Sequence, residues 1–179
     1  MQAFVSQAVE FVSAHRAWAP VIIFLLALGE TTALVSLIFP STAILLGVGA
    51  LVAAGALDFL PLFAGAALGA LAGSSISYWL GRRYGSEIMD RWPLNRNPRL
   101  TERASAAFAK WGAGAVLLGH FIGPLRSVAF VMAGIATMRI ALFQLANVPG
   151  AIAWAFVIPK TGEYGSGALG AAWRALTGG

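Results

Sequence analysis

The sequence predicts an all-α membrane protein of two inverted repeats, each a re-entrant helical hairpin followed by a transmembrane helix, with an N-terminal amphipathic helix in front. Three observations predict this class: an apolar composition, two long stretches almost free of charge, and a basic segment between them. Of the 179 residues, 59% are hydrophobic and 11% are charged, whereas an average soluble domain carries about 25% charged residues. This composition excludes a water-soluble globule.

The two apolar stretches cover residues 17–81 and 111–159. Their few ionisable side chains are Glu30, Asp58, His120, Arg126 and Arg139. Stretches with so little charge are soluble in hydrocarbon. We therefore expect residues 1–179 to form a single polytopic membrane domain.

The segment 82–110 carries seven lysines and arginines against three acids. Short loops with such an excess of positive charge stay on the cytoplasmic side of a membrane, so we predict a basic cytoplasmic loop. Within it, Thr101 opens a short amphipathic helix that runs to about Lys110. Nucleic acid is not expected as a partner, because Trp92 and Trp111 flank membrane spans.

Residues 1–16 are predicted to form an interfacial helix. Phe4, Ala8, Phe11 and Val12 recur at helical spacing on one face, which is typical of a helix that lies in the membrane interface. The segment lacks the basic start and compact apolar core of a secretory signal. We therefore expect the N-terminus to be retained.

The first predicted repeat covers residues 17–81. A straight helix over 20–57 would be about 57 Å long, nearly twice a hydrocarbon core of about 30 Å, so the chain must turn back. Breaks are predicted at Glu30 and at Pro40, with Ser41 or Thr42 capping the helix that restarts there. Asp58 closes this hairpin.

An uncharged span over 59–81 follows the hairpin. Its small residues predict a face for close contact with another helix, and they are Gly65, Gly69, Gly73 and Ser77.

The second predicted repeat covers residues 111–165 and has the same outline. Its hairpin, 111–138, is interrupted at 119–126, and a final span occupies about 140–159. Residues 166–179 form a short tail that could not span a membrane. Two like units joined by a connection on one face are inverted relative to each other, and interrupted segments at matching positions indicate a binding site near the midplane. The site is expected where the two hairpins meet.

Charged side chains inside the membrane need a reason, because each costs about 2.5–3.5 kcal/mol at the helix centre. Arg126 is predicted to bind phosphate, and its alternative is a structural ion pair with Glu30. Glu30 is predicted to titrate or to pair with a cation, and its alternative is a place at the water interface. His120 is predicted to relay a proton or to contact an anion; its alternative is a satisfied buried polar group.

The predicted substrate-binding residues are therefore Arg126, His120, Glu30, Ser41, Thr42 and Asn147, with proton coupling assigned to Glu30 and His120. Asn147 is included because an amide in lipid needs partners. Asp58 and Arg139 are predicted to be structural, as are Ser74, Ser75 and Ser77. The chain lacks cysteine, phosphate-loop, zinc-protease and hydrolase-elbow motifs, so no catalytic residue, cofactor or metal is expected.

Four segments together resemble the DedA family of integral membrane proteins, also called the SNARE-associated or VTT domain group. They are GETTALVSLIFPSTAILLGVGALVAAG, LGALAGSSISYWLGRRYG, FAKWGAGAVLLGHFIGPLRSVAFVMAGIATM and FQLANVPGAIAW. The resemblance covers residues 20–165. It implies two opposed re-entrant hairpins, lipid movement and, for bacterial members, recycling of undecaprenyl phosphate and envelope maintenance that depends on the proton-motive force. It places the family's acid of the first break on Glu30 and its second arginine on Arg126.

The chain departs from the family pattern at four places. Pro40-Ser41-Thr42 stands where the family has an acid after Pro-Gly, and Gly73-Ser74 stands where it often has Gly-Asp. His120 replaces the first arginine of the second hairpin. The chain also ends soon after Gly165, where typical members continue into another apolar helix.

The leading hypothesis is a transporter or flippase of an anionic lipid, such as undecaprenyl phosphate or a phospholipid, in the bacterial inner membrane. Its partners are then the lipid and the membrane. One rival is a membrane enzyme that acts on lipid phosphates. Another is a non-catalytic assembly factor whose glycine faces bind other membrane proteins. Whether the chain forms a homo-oligomer is left open by the sequence.

Overall fold

The computed structural model describes residues 16–32, 48–49, 51–52, 54–90, 98–122 and 125–177. These residues are helical and include no strand, which confirms the all-α prediction. The helices are α1 Ala19–Thr31, α2 Phe59–Tyr84, α3 Pro98–Trp111, α4 Ala113–Gly119, α5 Leu125–Ile135 and α6 Ile140–Thr177. Short 3₁₀ helices precede α1, at Arg16–Trp18, and follow α2, at Gly85–Asp90. The predicted N-terminal helix and the break at Pro40, with Ser41 and Thr42, lie outside the described residues.

Two helices are long and apolar enough to cross a membrane, over Phe59–Glu87 and Ile140–Thr161. They coincide with the two predicted spans. Helix α6 continues to Thr177, past the end of the second span at Thr161, so residues 166–177 of the predicted tail are helical. No proline follows Pro159, and Ala and Leu near the end of α6 favour helix.

The predicted small-residue face of α2 packs against α1. A Cβ atom added at any of its three glycines would lie 2.2–2.4 Å from a backbone oxygen of α1, and the pairs are Gly65 with Pro20, Gly69 with Phe24, and Gly73 with Leu28. One turn further on, Ser77 Oγ donates to the Thr31 carbonyl at 2.9 Å. Because the residue numbers rise together, α1 and α2 run in the same direction.

The other helix pairs have defined directions as well. Tyr78 on α2 donates to the Met138 carbonyl just before α6, while Phe59 at the other end of α2 contacts Phe156. Helices α2 and α6 are therefore antiparallel. Val116 of α4 shares an apolar cluster with Phe143 of α6. One turn later in both helices, His120 contacts Asn147, so α4 and α6 run in the same direction.

The predicted breaks at Glu30 and at 119–126, which lie in described parts of the chain, coincide with helix ends. Helix α1 stops at Thr31, where the Thr31 and Thr32 hydroxyls donate to carbonyls of the last turn at 2.7 Å. In the second apolar stretch, α4 ends at Gly119 and α5 begins at Leu125. The amphipathic helix predicted from Thr101 is also present, although it starts earlier, at Pro98, since proline suits the first turn of a helix.

The outer surfaces of the two long helices are apolar. Large side chains that are mostly exposed on the isolated chain include Leu60, Leu68, Leu145 and Phe156. Contiguous exposed apolar surface of this kind is a membrane or protein contact. Together with the length of α2 and α6, it supports the predicted location in a cell membrane.

Candidate functional site

A buried ion pair connects the two breaks. Arg126 Nη2, in the first turn of α5, lies 2.5 Å from Glu30 Oε1, in the last turn of α1. Both side chains are only 4% exposed. The end of α1 is fixed by the threonine hydroxyls and by Gly73, whose missing Cβ leaves room for Thr31 Oγ1. The two charges predicted to lie at the meeting point of the hairpins are thus in direct contact.

The Arg126 guanidinium also lies over an aromatic ring. Its central carbon is 4.9 Å from the ring centroid of Trp154 on α6, and Trp154 is itself buried. A cation over a tryptophan face is stabilised by the ring quadrupole, most strongly where water is excluded. Among the described residues, Nε of Arg126 has no hydrogen-bond partner. Among the described residues, the guanidinium therefore contacts the Glu30 carboxylate and the Trp154 ring, and its Nε donor is not used by either contact.

His120 begins a chain of polar side chains between α4 and α2. Its Nε2 lies 3.0 Å from Asn147 Oδ1, Asn147 Nδ2 donates to Gln144 Oε1 at 3.0 Å, and Gln144 Nε2 donates to Ser75 Oγ at 2.9 Å. Ser75 Oγ in turn donates to the Leu71 carbonyl at 2.7 Å. All four side chains are buried or partly buried.

The Leu71 carbonyl, the last acceptor in this series of hydrogen bonds, determines the direction of every bond in the series. A carbonyl only accepts, so the Ser75 hydroxyl donates to it and receives an N–H from Gln144. The Gln144 oxygen then faces an Asn147 N–H, and the Asn147 oxygen needs a donor from His120. Neutral His120 therefore carries its proton on Nε2. Its Nδ1 is an acceptor, and it has no hydrogen-bond partner among the residues described.

Close packing holds the His120 ring in this position. The ring lies 4.8 Å from the Phe130 ring, between centroids, and a Cβ at Gly150 would come within 2.5 Å of its Cδ2 atom. A Cβ added at the preceding residue, Gly119, would lie 3.7 Å from the Arg126 Cα, which is an ordinary van der Waals contact. His120 and Arg126 therefore occupy the two sides of one short break.

Three kinds of ionisable or polar group meet around the break between α4 and α5. They are a buried cation, a carboxylate that neutralises it and an imidazole acceptor. No group of three or more His, Cys, Asp or Glu residues that could hold a metal ion occurs in the described part of the chain.

Comparison with known protein families matches residues 39–164 to the VTT domain, more than half of the chain. The chain belongs to the VTT domain family. The resemblance to the DedA group inferred from the four segments is thereby confirmed. The matched range includes His120, Arg126 and Asn147, whereas Glu30 precedes it.

Members of the family from several bacteria are similar to this chain. It is 32% identical to the inner membrane protein YabI of Escherichia coli over 145 residues, which cover 80% of this chain and 57% of YabI. It is 40% identical over 94 residues to the uncharacterised membrane protein Rv2637 of Mycobacterium tuberculosis, covering 50% and 43% of the two chains. An uncharacterised membrane protein of Synechocystis, slr0232, is 36% identical over 118 residues, covering 65% and 54%.

The chain spans about half the length of the curated relatives it matches. No solved structure matches it. The relationship to VTT domain proteins shows a membrane-protein family, and the chemistry of the site must be argued from its own residues.

Four of the six predicted substrate-binding residues lie in the described part of this VTT domain protein. Glu30 is paired with Arg126, which is the contact named in the structural alternative, and its side chain is buried within the protein. His120 and Asn147 contact each other. Ser41 and Thr42 lie outside the described residues, so their assignment stays a prediction.

Asp58 and Arg139 were predicted to be structural, and both lie just before a helix. Asp58 is the exposed residue just before α2, although its side chain makes no capping hydrogen bond. Arg139 is exposed just before α6. Of the three serines, Ser74 bonds within α2 and Ser77 bonds to α1, whereas Ser75 joins the polar chain.

Two site residues were missed from the sequence, Gln144 and Trp154. Both share a face of α6 with Asn147, since they lie three residues before it and seven residues after it. That spacing was the available signal. When an apolar span carries two amides and a tryptophan on one face, that face is expected to contact a polar site.

Proposed function

We propose that this VTT domain protein is a transporter that passes the anionic headgroup of a lipid between its two hairpins, in the bacterial inner membrane. The observation that carries the proposal is the buried ion pair between Glu30 and Arg126. It joins the ends of two helices that stop inside apolar segments. Intramembrane charges of this kind mark substrate and ion pathways.

Arg126 binds the phosphate in this proposal. A guanidinium offers five donors in a planar fork that matches phosphate oxygens in pairs. Glu30 occupies one of these donors, while Nε has no hydrogen-bond partner among the residues described. A phosphate that replaces the Glu30 carboxylate would keep the cation paired and leave its contact with Trp154 unchanged.

Protonation of Glu30 would release Arg126 for the lipid. A neutral carboxyl no longer competes with phosphate for the guanidinium, so arrival of a proton and binding of an anion are coupled. His120 is suited to pass that proton, because its Nε2 is held by Asn147 and its Nδ1 is an acceptor without a hydrogen-bond partner in the described residues. Transport would then be proton-coupled.

Alternating exposure would come from rocking of one inverted repeat against the other. The helix directions support this repeat: α1 runs parallel to α2, α4 runs parallel to α6, and the two spans are antiparallel. In each half, the first helix of the predicted hairpin (α1 or α4) therefore runs parallel to the span that follows it (α2 or α6). The helices of one half run in the direction opposite to those of the other half. Ser41 and Thr42 belong to the proposed site through the corresponding break of the first hairpin.

The glycine faces do not favour the assembly-factor alternative. Gly65, Gly69 and Gly73 are occupied by α1, and Gly81 is occupied by α5. These faces are used within the chain, so they are not available to another membrane protein. For the enzyme alternative, the described site contains no observation that favours it over transport.

Lipid movement in liposomes tests the proposal. Purified protein is reconstituted with fluorescent phosphatidylglycerol or a labelled polyprenyl phosphate, and transfer between leaflets is followed by quenching. We expect transfer by the unchanged protein and a loss to the protein-free rate for Arg126→Ala. Arg103→Ala is the matched control, because Arg103 is exposed on α3.

Equal transfer by Arg126→Ala and the unchanged protein would contradict the proposal. Release of inorganic phosphate from the lipid during the assay would favour the enzyme alternative. The exchange Glu30→Arg with Arg126→Glu separates transport from a structural pair, because a scaffold would tolerate it and a phosphate carrier would not.

A further inference from the structure

A cavity with two arginines in its wall lies at the end of α2, where the chain turns from α5 into α6. It has a volume of about 350 Å³ and is lined by Tyr78, Trp79, Arg82, Thr137, Arg139 and Ile140. Arg82 lies near the end of the α2 span, Phe59–Glu87, in the segment 82–110 that its excess of positive charge predicts to be cytoplasmic. We therefore expect the cavity at the cytoplasmic edge of the membrane, and its lining includes neither Glu30 nor Arg126.

Among the described residues, neither arginine of this cavity forms an ion pair with a carboxylate. Arg82 is oriented by neutral oxygens, since its Nη1 donates to Tyr78 Oη at 3.0 Å and lies 3.4 Å from the Met138 carbonyl. Arg139 is exposed at the cavity wall. Two guanidinium groups thus share one concave surface, and the described residues that line it include no acid.

The start of α6 adds to this local excess of positive charge. The first turn of α6 contains no acidic residue, and Arg139 directly precedes it. A cation at the positive end of a helix is unfavourable, whereas an anion there is favourable. The local charges therefore favour an anion that the described part of the chain does not supply.

We propose that this cavity binds the phosphate headgroup of an anionic phospholipid from the cytoplasmic leaflet. The apolar residues of the cavity wall favour a lipid over free phosphate as the ligand. Trp79 is 60% exposed and Ile140 is 45% exposed, and both stand beside the arginines. Aromatic side chains at this depth belong to the membrane interface, and basic pockets between transmembrane helices on this side bind anionic headgroups.

This binding site is independent of the transport proposal. It uses neither Glu30 nor Arg126, and it requires no movement of lipid across the membrane. Its test is consequently an equilibrium measurement of bound lipid, which does not depend on whether transport occurs.

The experiment compares lipids retained by the whole chain. Protein is purified from mixed micelles that contain equal amounts of phosphatidylglycerol and phosphatidylcholine, and the retained lipids are counted by native mass spectrometry. We expect phosphatidylglycerol to be preferred, and Arg139→Gln and Arg82→Gln each to retain about fivefold less of it, as a contribution of one interfacial arginine implies. Melting temperatures identify any variant that fails to fold, and Arg139 makes no side-chain hydrogen bond among the described residues that would be lost.

Arg83→Gln is the matched control. It removes the same charge at the next position of α2, but Arg83 lies over the Tyr84 ring and does not line the cavity. An equal loss in all three variants would show only a general surface charge and would overturn the proposal. Protection against melting by inorganic phosphate equal to that by phosphatidylglycerol would overturn the choice of a lipid.

Discussion

Replacing Arg126 with glutamine is expected to lower the free energy of unfolding by about 3–5 kcal/mol, the cost of breaking a buried ion pair by removing one partner. The variant leaves the Glu30 carboxylate inside the protein without its cation. Glu30→Gln is expected to be destabilising for the converse reason, although Trp154 still contacts the arginine. Denaturant titration of the protein in micelles, followed by tryptophan fluorescence, measures both effects.

The double variant Glu30→Gln with Arg126→Gln separates stability from function. It removes both buried charges, so we expect it to be more stable than Arg126→Gln alone. It should still fail to move lipid, because no guanidinium remains for phosphate. Arg103→Gln, on the exposed face of α3, serves as the control and should change stability little. Single variants as stable as the unchanged protein would show that the pair does not hold the two breaks together.

Alanine at Gly134 or Gly81 is expected to force α2 and α5 apart. A Cβ at Gly134 would lie 2.1 Å from the Tyr78 carbonyl oxygen, and a Cβ at Gly81 would lie 2.1 Å from the Val131 carbonyl oxygen. Both obstacles are backbone atoms, which cannot rotate away as a side chain does. We expect each variant to lose about 1–3 kcal/mol, the usual cost of overpacking, and lipid transport to fall because α5 also carries Arg126.

Gly114→Ala provides the control for this pair of variants. The nearest atom to a Cβ there is Trp111 Cβ at 3.8 Å, which is ordinary contact. Alanine in a helix is favoured over glycine by about 0.5–1 kcal/mol, so Gly114→Ala should be neutral or stabilising. Thermal melting in micelles distinguishes the three variants. Melting temperatures that fall equally for all of them would contradict the close crossing of α2 and α5.

Much of the fold was predictable because the membrane restricts what a sequence can form. The absence of charge from 59–81 and 140–159 predicted the two long apolar helices, and the cost of a buried charge marked Glu30 and Arg126 as residues that need partners. The small-residue spacing of α2 predicted its close contact with a neighbouring helix. These inferences depend on the composition and spacing of nearby residues.

The parts that escaped prediction depend on contacts between distant segments. The close approach of Gly81 and Gly134 depends on how α2 crosses α5, which no local pattern reports. The polar chain from His120 to Ser75 crosses three helices, so Gln144 and Ser75 appeared to be ordinary residues of their spans. The continuation of α6 to Thr177 was missed because hydropathy marks where lipid ends and not where a helix ends.

The central claim is that Arg126 binds a lipid phosphate between the two breaks. Binding of undecaprenyl phosphate and of the uncharged polyprenol to detergent-solubilised protein tests it most directly, with Arg126→Ala and Arg103→Ala in parallel. We predict that the phosphate form binds more tightly than the alcohol, and that this preference is lost in Arg126→Ala and kept in Arg103→Ala. Equal binding of both lipids, or a preference that survives in Arg126→Ala, would contradict the claim.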